Sequence, residues 1–246
     1  MARYGEQHKQ ETRRRILETA GQRFKQDGID GSGISTLMTD AGLTNGAFYV
    51  HFASKVDLVA AAIADQLRSQ LDSMAGLAPG RAGVEQLVHT YLSAEHRDNP
   101  GYGCPSAALL DEVGRCAAPV KQAYSDGIGG IVADIAQRIA PHDPDSARVA
   151  TLGLVALLVG TLQMSRAMTD ERLSDAVLDN GVRTALALIV NYSSPISTAN
   201  SGQLAATRRT TAASSGTTVP SPTTDDMPNS SSSNRPGASA KQRPCP

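Results

Sequence analysis

A chain of 246 residues is long enough for one or two domains with a buried core, and its 4% of aromatic residues leaves that core mostly aliphatic. The formal net charge of −1 neither indicates nor excludes a nucleic-acid partner, because a basic patch can act locally. The three cysteines, Cys104, Cys116 and Cys245, have neither metal-binding nor redox spacing, which excludes a disulfide-rich fold.

The first predicted element is a helix in which Ile16, Ala20 and Phe24 recur at helical spacing and which ends at Gly28. The segment MARYGEQHKQETRRR at its start lacks the apolar run of a signal peptide, so we expect a cytoplasmic protein. Seven basic and three acidic side chains among the first 25 residues give this end of the chain a charge of +4.

Two short helices joined by the tight turn AGLT are predicted next. Ser35 is expected to cap the first of them, ISTLMTDAG, and Gly42 to end it, because glycine tolerates the left-handed backbone of such a turn. Thr44 is expected to cap the second. Together with the first helix, they predict a helix-turn-helix over about 33–52.

Aromatic side chains are concentrated just after this turn. Two of the chain's 3 phenylalanines, Phe48 and Phe52, lie there. We expect Phe48, together with Leu43, to anchor the turn against the first helix, and Phe52 to close the base of the unit. Ser54, three residues before Asp57, predicts the start of a fourth helix by a variant of the capping box.

The start of the second short helix has residues suited to DNA. Thr44, Asn45, Gly46 and Ala47 are small or polar, so this end can enter a major groove, where Asn45 can bond a base edge. Gly46 costs about 1 kcal/mol of helix stability relative to alanine, a cost that makes sense if a side chain there would collide with DNA. The candidate phosphate contacts are Tyr49, His51 and Lys55.

Residues of about 10–63 closely resemble the DNA-binding domain of TetR-type transcriptional regulators. The residues that match the family pattern are Gly42, Phe48, Tyr49, His51, Phe52, Ser54, Lys55 and Asp57. Val50 departs from it, since a bulkier residue is frequent there. The resemblance implies that Thr44, Asn45 and Gly46 face bases. It also implies that the phosphates are contacted by Tyr49, His51, Lys55 and Thr36.

Two of these assignments have a simpler alternative. Tyr49 could serve as half-buried packing, and His51 could bond a local carbonyl group. Within the assembled motif we favour contact with DNA, because phosphate contacts make up at least half of such interfaces.

The rest of the chain before residue 193 also has helical patterns, over about 83–97, Pro105–Cys116, 119–139, 146–168 and 170–190. No alternating β-branched run occurs, so the predicted fold class is all-α. We expect a three-helix DNA-binding head at 9–66 and a helical ligand-binding and dimerisation bundle at 67–192. The Ser-, Thr- and Pro-rich segment 193–246 is predicted to be a disordered tail.

The apolar segment 149–164 allows three interpretations. It is at the short limit for a membrane span, so we favour a buried or interface helix. Small residues along one side suit a homodimer interface, whereas the alternative is the core of the monomer; they are Ala150, Gly153, Ala156 or Leu157, Gly160 and Ala167. The family resemblance favours the dimer, which would present two reading helices to a palindromic operator.

Cys104 precedes Pro105, a residue suited to the first position of a helix. A thiol at a helix N-terminus can become reactive, but the alternative, a buried inert thiol, is favoured. Other candidate contacts for an unknown small-molecule effector are His89, Tyr91, Tyr124 and Gln163, each of which could equally be a surface or core residue.

These patterns predict a dimeric transcriptional repressor that a small molecule releases from double-stranded DNA. The alternatives are a regulator of the same fold without an effector, a membrane-anchored regulator, and a helical-bundle enzyme. The 5 histidines are scattered and form no cluster with a nucleophile or metal ligand. We therefore expect no enzyme activity, no metal and no cofactor.

Overall fold

The computed structural model describes the backbone of residues 2–193 and the side chains of residues 5–190, and this part of the chain contains helices and no strands. The helices are α1 (Ala2–Asp27), α2 (Ile34–Asp40), α3 (Asn45–His51), α4 (Lys55–Met74), α5 (Gly80–Tyr91), α6 (Ala94–Asp98), a 3₁₀ turn (Pro100–Tyr102), α7 (Pro105–Arg115), α8 (Ala118–Ile139), α9 (Pro144–Arg166) and α10 (Glu171–Ser193). The all-α prediction is confirmed. The predicted disordered tail lies outside the described residues, apart from Ser193.

The first three helices form the head around a core that begins on α1. Ile16, Ala20 and Phe24 are buried, and Gly28 ends α1 with a φ of 80°. The cap predicted for α2 was wrong. Gly33, with extended backbone, precedes the helix, and Ser35 lies inside its first turn. Thr44 does precede α3, but its side chain makes no capping hydrogen bond.

Helix α4 connects the head to the remaining helices. The predicted cap is confirmed, since Ser54 Oγ accepts a hydrogen bond from the Asp57 amide at 3.1 Å. Leu58 and Ile63 on this helix are buried in the common core, as is Leu67 further along. The helix packs against both α1 and α8 and runs without a break through the predicted domain boundary at residue 66.

The single helix predicted over about 83–97 was wrong, because the chain leaves helical geometry at Leu92. Ser93 then accepts a hydrogen bond from the His96 amide and starts α6 as its N-cap. This capping signal was missed because apolar residues at helical spacing continue from α5 up to Leu92. The break turns the chain toward the 3₁₀ turn and the start of α7, and so forms one side of a cleft.

Helices α8, α9 and α10 complete the bundle. A Cβ atom on Gly127 of α8 would lie 2.6 Å from the Leu67 side chain, so this glycine permits the close approach of α8 and α4. Helix α9 packs against α7, α8 and α10. Within the described residues it is the one unbroken helix long and apolar enough for a membrane span, a property that it shares with core helices of soluble proteins.

Candidate functional sites

The turn between α2 and α3 has the geometry that the sequence predicts. Gly42 has a φ of 66°, which glycine adopts without strain. The Gly42 amide donates to the Thr39 carbonyl at 2.9 Å, and the Leu43 amide to the Met38 carbonyl at 2.8 Å. These bonds satisfy the last carbonyl groups of α2 and hold the direction of α3 relative to it.

Phe48 is fully buried and anchors α3 in the head. Its ring stacks with that of Phe52 at a centroid distance of 5.7 Å. Arg13 on α1 has a role that was not predicted from the sequence. Its guanidinium lies 4.3 Å from the Phe52 ring centroid and donates to the His51 carbonyl at 2.7 Å. Arg13 thus attaches the end of α3 to α1. In the sequence, Arg13 lies three residues before Ile16 and so on the same face of α1, and this spacing could have indicated that Arg13 contacts the head.

The residues predicted to face bases lie together on the surface. Thr44, Asn45 and Gly46 are exposed at the start of α3. The Asn45 amide nitrogen donates to Ser35 Oγ at 3.3 Å, a long bond that leaves its carbonyl oxygen available. A Cβ on Gly46 would meet nothing nearer than Thr44 Oγ1 at 3.9 Å. No intramolecular contact therefore explains the glycine.

The residues predicted to contact phosphates surround this surface. Thr36 is exposed on α2, Tyr49 is 70% exposed, and His51 and Lys55 are half-buried. The Tyr49 ring touches Phe48 only through an edge contact, at a centroid distance of 5.1 Å. Half-buried packing therefore does not describe Tyr49.

The His51 ring borders the same surface. Its Nδ1 atom is buried and has no hydrogen-bond partner among the described residues, so the alternative of a bond from this nitrogen to a local carbonyl is not observed. Burial lowers the pKa of His51, and the positive charges of Lys9 and Arg13 lower it further. The neutral imidazole is therefore the favoured form.

Comparison with known proteins places this head in a family. Residues 16–62 match the model of bacterial regulatory proteins of the tetR family. The N-terminal segment 16–62 is thus similar to the tetR family of bacterial regulatory proteins. It is 43% identical over 58 residues to the HTH-type transcriptional regulator AcrR of Shigella flexneri, a match that covers 24% of this chain and 27% of AcrR. The chain thus spans about a quarter of the length of this curated relative.

Two solved structures share the fold over most of the chain. The reduced form of NemR from E. coli has a TM-score of 0.61 at 21% identity, covering 71% of this chain and 95% of NemR. FadR of Bacillus subtilis in complex with stearoyl-CoA has a TM-score of 0.52 at 14% identity, covering 68% of this chain and 96% of FadR. Both likenesses concern the fold.

A cleft of about 640 Å³ opens between α4, α5, α6, the 3₁₀ turn and the start of α7. Of the predicted effector contacts, Tyr91 and Cys104 line it. Tyr124 lies behind it and donates its hydroxyl to Ser106 Oγ at 3.1 Å. His89 is exposed and Gln163 half-buried, and neither lines the cleft. Two of the five predicted effector contacts, Tyr91 and Cys104, therefore lie together in the cleft.

Cys104 occupies the N-cap position of α7, as predicted, and its side chain is buried. Its amide donates to His96 Nε2 at 3.0 Å, while His96 Nδ1 lies 2.8 Å from the Tyr91 carbonyl. This pattern requires the neutral Nδ1–H tautomer. Burial lowers the pKa of His96, which favours the same neutral form. His96 thus joins the end of α5 to the start of α7.

Lys25, which the sequence analysis missed, brings a cation from the head into this cleft. Its side chain is 8% exposed, and Nζ donates to Gln66 Oε1 at 2.6 Å and to the Gly103 carbonyl at 2.9 Å. Burial lowers the pKa of Lys25 to about 8. No pattern around Lys25 in the sequence indicates this position, because its partners come from α4 and from the loop before α7.

A second contact joins the head to the bundle through α7. The Glu112 carboxylate accepts hydrogen bonds from the Ile29 amide at 2.7 Å and the Asp30 amide at 3.4 Å, just after the end of α1. Cys104 at one end of α7 lines the cleft, and Glu112 near the other end holds the head. A movement of α7 would therefore change both the cleft and the contact between the head and the bundle.

Helices α9 and α10 both expose large apolar side chains. The large side chains exposed there are Val149, Leu152, Met164, Leu173, Leu188 and Val190. Gly153 and Gly160 lie on the exposed side of α9, with nothing within 4 Å of an added Cβ. Gly153 and Gly160 are therefore not packed in the core of the monomer, which instead receives Leu154, Leu158 and Leu162 together with Ala147 and Ser165.

No group of three or more His, Cys, Asp or Glu side chains among the described residues could hold a metal ion.

Proposed function

We propose that this chain is a transcriptional repressor that binds a palindromic operator in duplex DNA as a homodimer. One observation supports the proposal most: a buried Phe48 and a left-handed Gly42 present the small, polar start of α3 to solvent. A helix end of that kind fits the major groove, as in other helix-turn-helix proteins. The proposal assigns residues 9–66 to DNA binding and 67–192 to effector binding and dimerisation, with α4 shared.

In this proposal the α3 surface divides its contacts by chemistry. Asn45 reads a base edge, for which its free carbonyl oxygen is available, while Thr44 and Gly46 allow the backbone close to the groove. The exposed hydroxyl of Tyr49, the Lys55 ammonium and Thr36 bond phosphates. His51 borders the same surface as a neutral imidazole, so it contacts a phosphate as a hydrogen-bond donor without adding a charge.

The proposed dimer uses the exposed apolar face of α9 and α10. Its glycines allow close approach of a partner helix, and its large side chains supply the apolar area that an obligate interface needs. Such a dimer places two copies of α3 about one DNA turn apart, roughly 34–36 Å, which requires a palindromic site. Burial of these side chains in a dimer interface would also explain why α9 is apolar, without a membrane-spanning role. We therefore propose that the protein is cytoplasmic.

A small molecule in the cleft is proposed to release the operator. Lys25 and the Ile29 amide belong to the head, and their partners, the Gly103 carbonyl and the Glu112 carboxylate, lie on either end of α7. A ligand that moves α7 therefore changes how the head is held and shifts the population of dimers with DNA-compatible spacing. Coupling of this kind is typically about 1–3 kcal/mol. The proposal includes no catalytic step, resident metal or cofactor.

Selection of duplexes from a random-sequence library tests the proposal directly. The purified protein is expected to enrich a palindrome and to bind it, by fluorescence anisotropy at moderate salt, more tightly than random competitor DNA. Asn45→Ala is expected to weaken that binding roughly tenfold or more, since a bidentate base contact is worth about 1–3 kcal/mol. Gln122→Ala, an exposed amide on α8, serves as the matched control. Enrichment of no sequence would refute the proposal.

A further inference from the structure

Two buried polar atoms at the inner end of the cleft have no hydrogen-bond partner among the described residues. They are the Tyr91 hydroxyl and Gln70 Oε1. The Tyr91 side chain is only 7% exposed, and the nearby Cys104 thiol is at most a weak hydrogen-bonding partner for its hydroxyl. Burial of a polar group without a partner is unfavourable, so such atoms are rare in folded proteins unless a ligand or water satisfies them. One can donate a hydrogen bond, and the other can accept one.

The same end of the cleft adjoins an apolar recess. Tyr91, Gln70, Met74 and Leu87 line both the cleft and a small void of about 20 Å³ behind it. The far wall of the void is formed by aliphatic side chains of α8 and α9, among them Ile131, Ile135 and Leu158. The two polar atoms therefore lie beside an apolar wall and not in an open polar channel.

Lys25 supplies a positive charge to the cleft without a matching carboxylate. An ammonium has three donor hydrogens, and the described acceptors, Gln66 and Gly103, use two of them. Buried charges are normally paired. The other neighbours of Lys25 are the thiol of Cys104 and the neutral ring of His96, and the acidic side chain that lines the cleft, Glu95, is exposed on α6.

We propose that the effector of this cleft is a small hydroxylated carboxylic acid with an apolar body. Its carboxylate pairs with the Lys25 ammonium. Its hydroxyl accepts a hydrogen bond from Tyr91 and donates one to Gln70, so that one group satisfies both unpartnered atoms. The apolar body lies against Met74 and Leu87. The role of this acid as an effector rests on the proposed repressor function, whereas its binding does not.

The pairing has a consequence for the head. A carboxylate that pairs with Lys25 attracts Nζ, which also donates to the Gly103 carbonyl, one of the contacts between α1 and the loop before α7. The ligand charge would thus act on the same residue that joins head and bundle.

A matched set of probes separates the two parts of the proposal. We would titrate 3-(4-hydroxyphenyl)propionate, 3-phenylpropionate, 3-(4-hydroxyphenyl)propionamide and tyramine into the full chain by calorimetry, without DNA. The hydroxy acid is expected to bind roughly tenfold more tightly than 3-phenylpropionate, because the latter leaves both polar atoms unsatisfied. The amide is expected to bind more weakly than the acid, and tyramine not to bind.

Variants assign each preference to a residue. Tyr91→Phe is expected to remove the preference for the hydroxyl, and Lys25→Met the preference for acid over amide. The controls are Tyr102→Phe on the cleft rim and Lys121→Met on α8, both exposed. The preference for the acid is also expected to fall as pH rises through about 8, the pKa of Lys25. Tyr91→Phe keeps the test valid should Lys25→Met fail to fold.

Three results would contradict the proposed binding of a hydroxylated carboxylic acid. Binding of tyramine as tight as that of the hydroxy acid, unchanged preferences in both variants, or no binding of the acids up to millimolar concentration would each overturn the proposal. A chain that binds the hydroxy acid but no duplex would refute the repressor function and leave the assignment of the cleft intact. Operator binding without binding of the acid would do the reverse.

Discussion

The surface at the start of α3 and the cleft beside α7 are built in opposite ways. All the residues of the α3 surface lie between Thr36 and Lys55, and the turn that presents them is held by hydrogen bonds within that stretch. The cleft takes Lys25 from α1, Gln70 from α4, Tyr91 from α5 and Cys104 from the start of α7. The α3 surface is therefore a local motif, and the cleft exists only once distant helices pack.

The polar groups of the two regions also differ in their exposure to water. On the α3 surface Thr36, Asn45 and Tyr49 are exposed, so water satisfies their polar groups, and the buried Nδ1 atom of His51 is the exception. In the cleft the polar groups are buried, so an unsatisfied hydroxyl or an unpaired ammonium lowers stability until a ligand arrives. Recognition of DNA is thus prepared without strain in the head, whereas the cleft bears a cost that binding of a ligand can recover.

The largest effect is expected from the anchor of the α3 surface. Phe48→Ala should lower the free energy of unfolding by about 3–5 kcal/mol, because a fully buried aromatic side chain is lost and a cavity remains. Urea denaturation measures this change. Tyr49→Ala, next to it but exposed, is the control and should alter stability little. Equal losses in the two variants would show that Phe48 does not anchor the motif.

The next effect concerns the cost of the buried cation in the cleft. Burial lowers the pKa of Lys25 from 10.5 to about 8, so the charged form is unfavourable in the folded protein. Between about pH 8 and pH 10.5 the unfolded chain binds more protons, and the contribution of Lys25 to stability therefore rises with pH by about 3 kcal/mol.

Lys25→Met removes this contribution, so the free energy of unfolding of the variant relative to that of the native chain should be highest below pH 8 and fall toward pH 10.5. Denaturation at a series of pH values measures the difference. Lys121→Met, at an exposed site, is the control. A difference that stays constant with pH would mean that Lys25 is not buried as a cation.

A smaller effect is expected at the turn. Gly42→Ala should cost about 1 kcal/mol of stability, because the left-handed backbone at a φ of 66° strains a residue with a Cβ. An added Cβ there meets nothing within 4 Å, so packing does not contribute. Gly46→Ala, in a helical position with open space, should instead leave stability unchanged or raise it while weakening operator binding. Thermal denaturation and anisotropy together distinguish the two glycines.

The smallest effect is expected for a single phosphate contact. Lys55→Ala should weaken binding to all duplexes about equally and lower the slope of log affinity against log salt by about one unit. Anisotropy titrations at several salt concentrations give this slope, with Lys121→Ala as the matched control. An unchanged slope would show that Lys55 does not contact a phosphate.

Structural features whose signal is contained in a few neighbouring residues could be predicted from the sequence. Gly42 and Ser54 mark helix ends through their own backbone and side-chain chemistry, and both predictions were confirmed. Ser35 was wrong as a cap because a neighbouring glycine also adopts the extended backbone that precedes a helix. The break after Tyr91 was missed because helical spacing of apolar residues continued across the capping signal of Ser93.

Periodicity, caps and one turn glycine determined from the sequence alone that residues 2–193 are helical and that a helix-turn-helix follows the first helix, because those signals act over one or two helical turns. Tertiary structure alone decided that Lys25 meets the Gly103 carbonyl 78 residues away and that the Tyr91 hydroxyl is buried without a hydrogen-bond partner of ordinary geometry in the described part of the chain. Such outcomes depend on which helix faces pack together, and hydrophobic burial sets that packing without regard to direction or sequence distance.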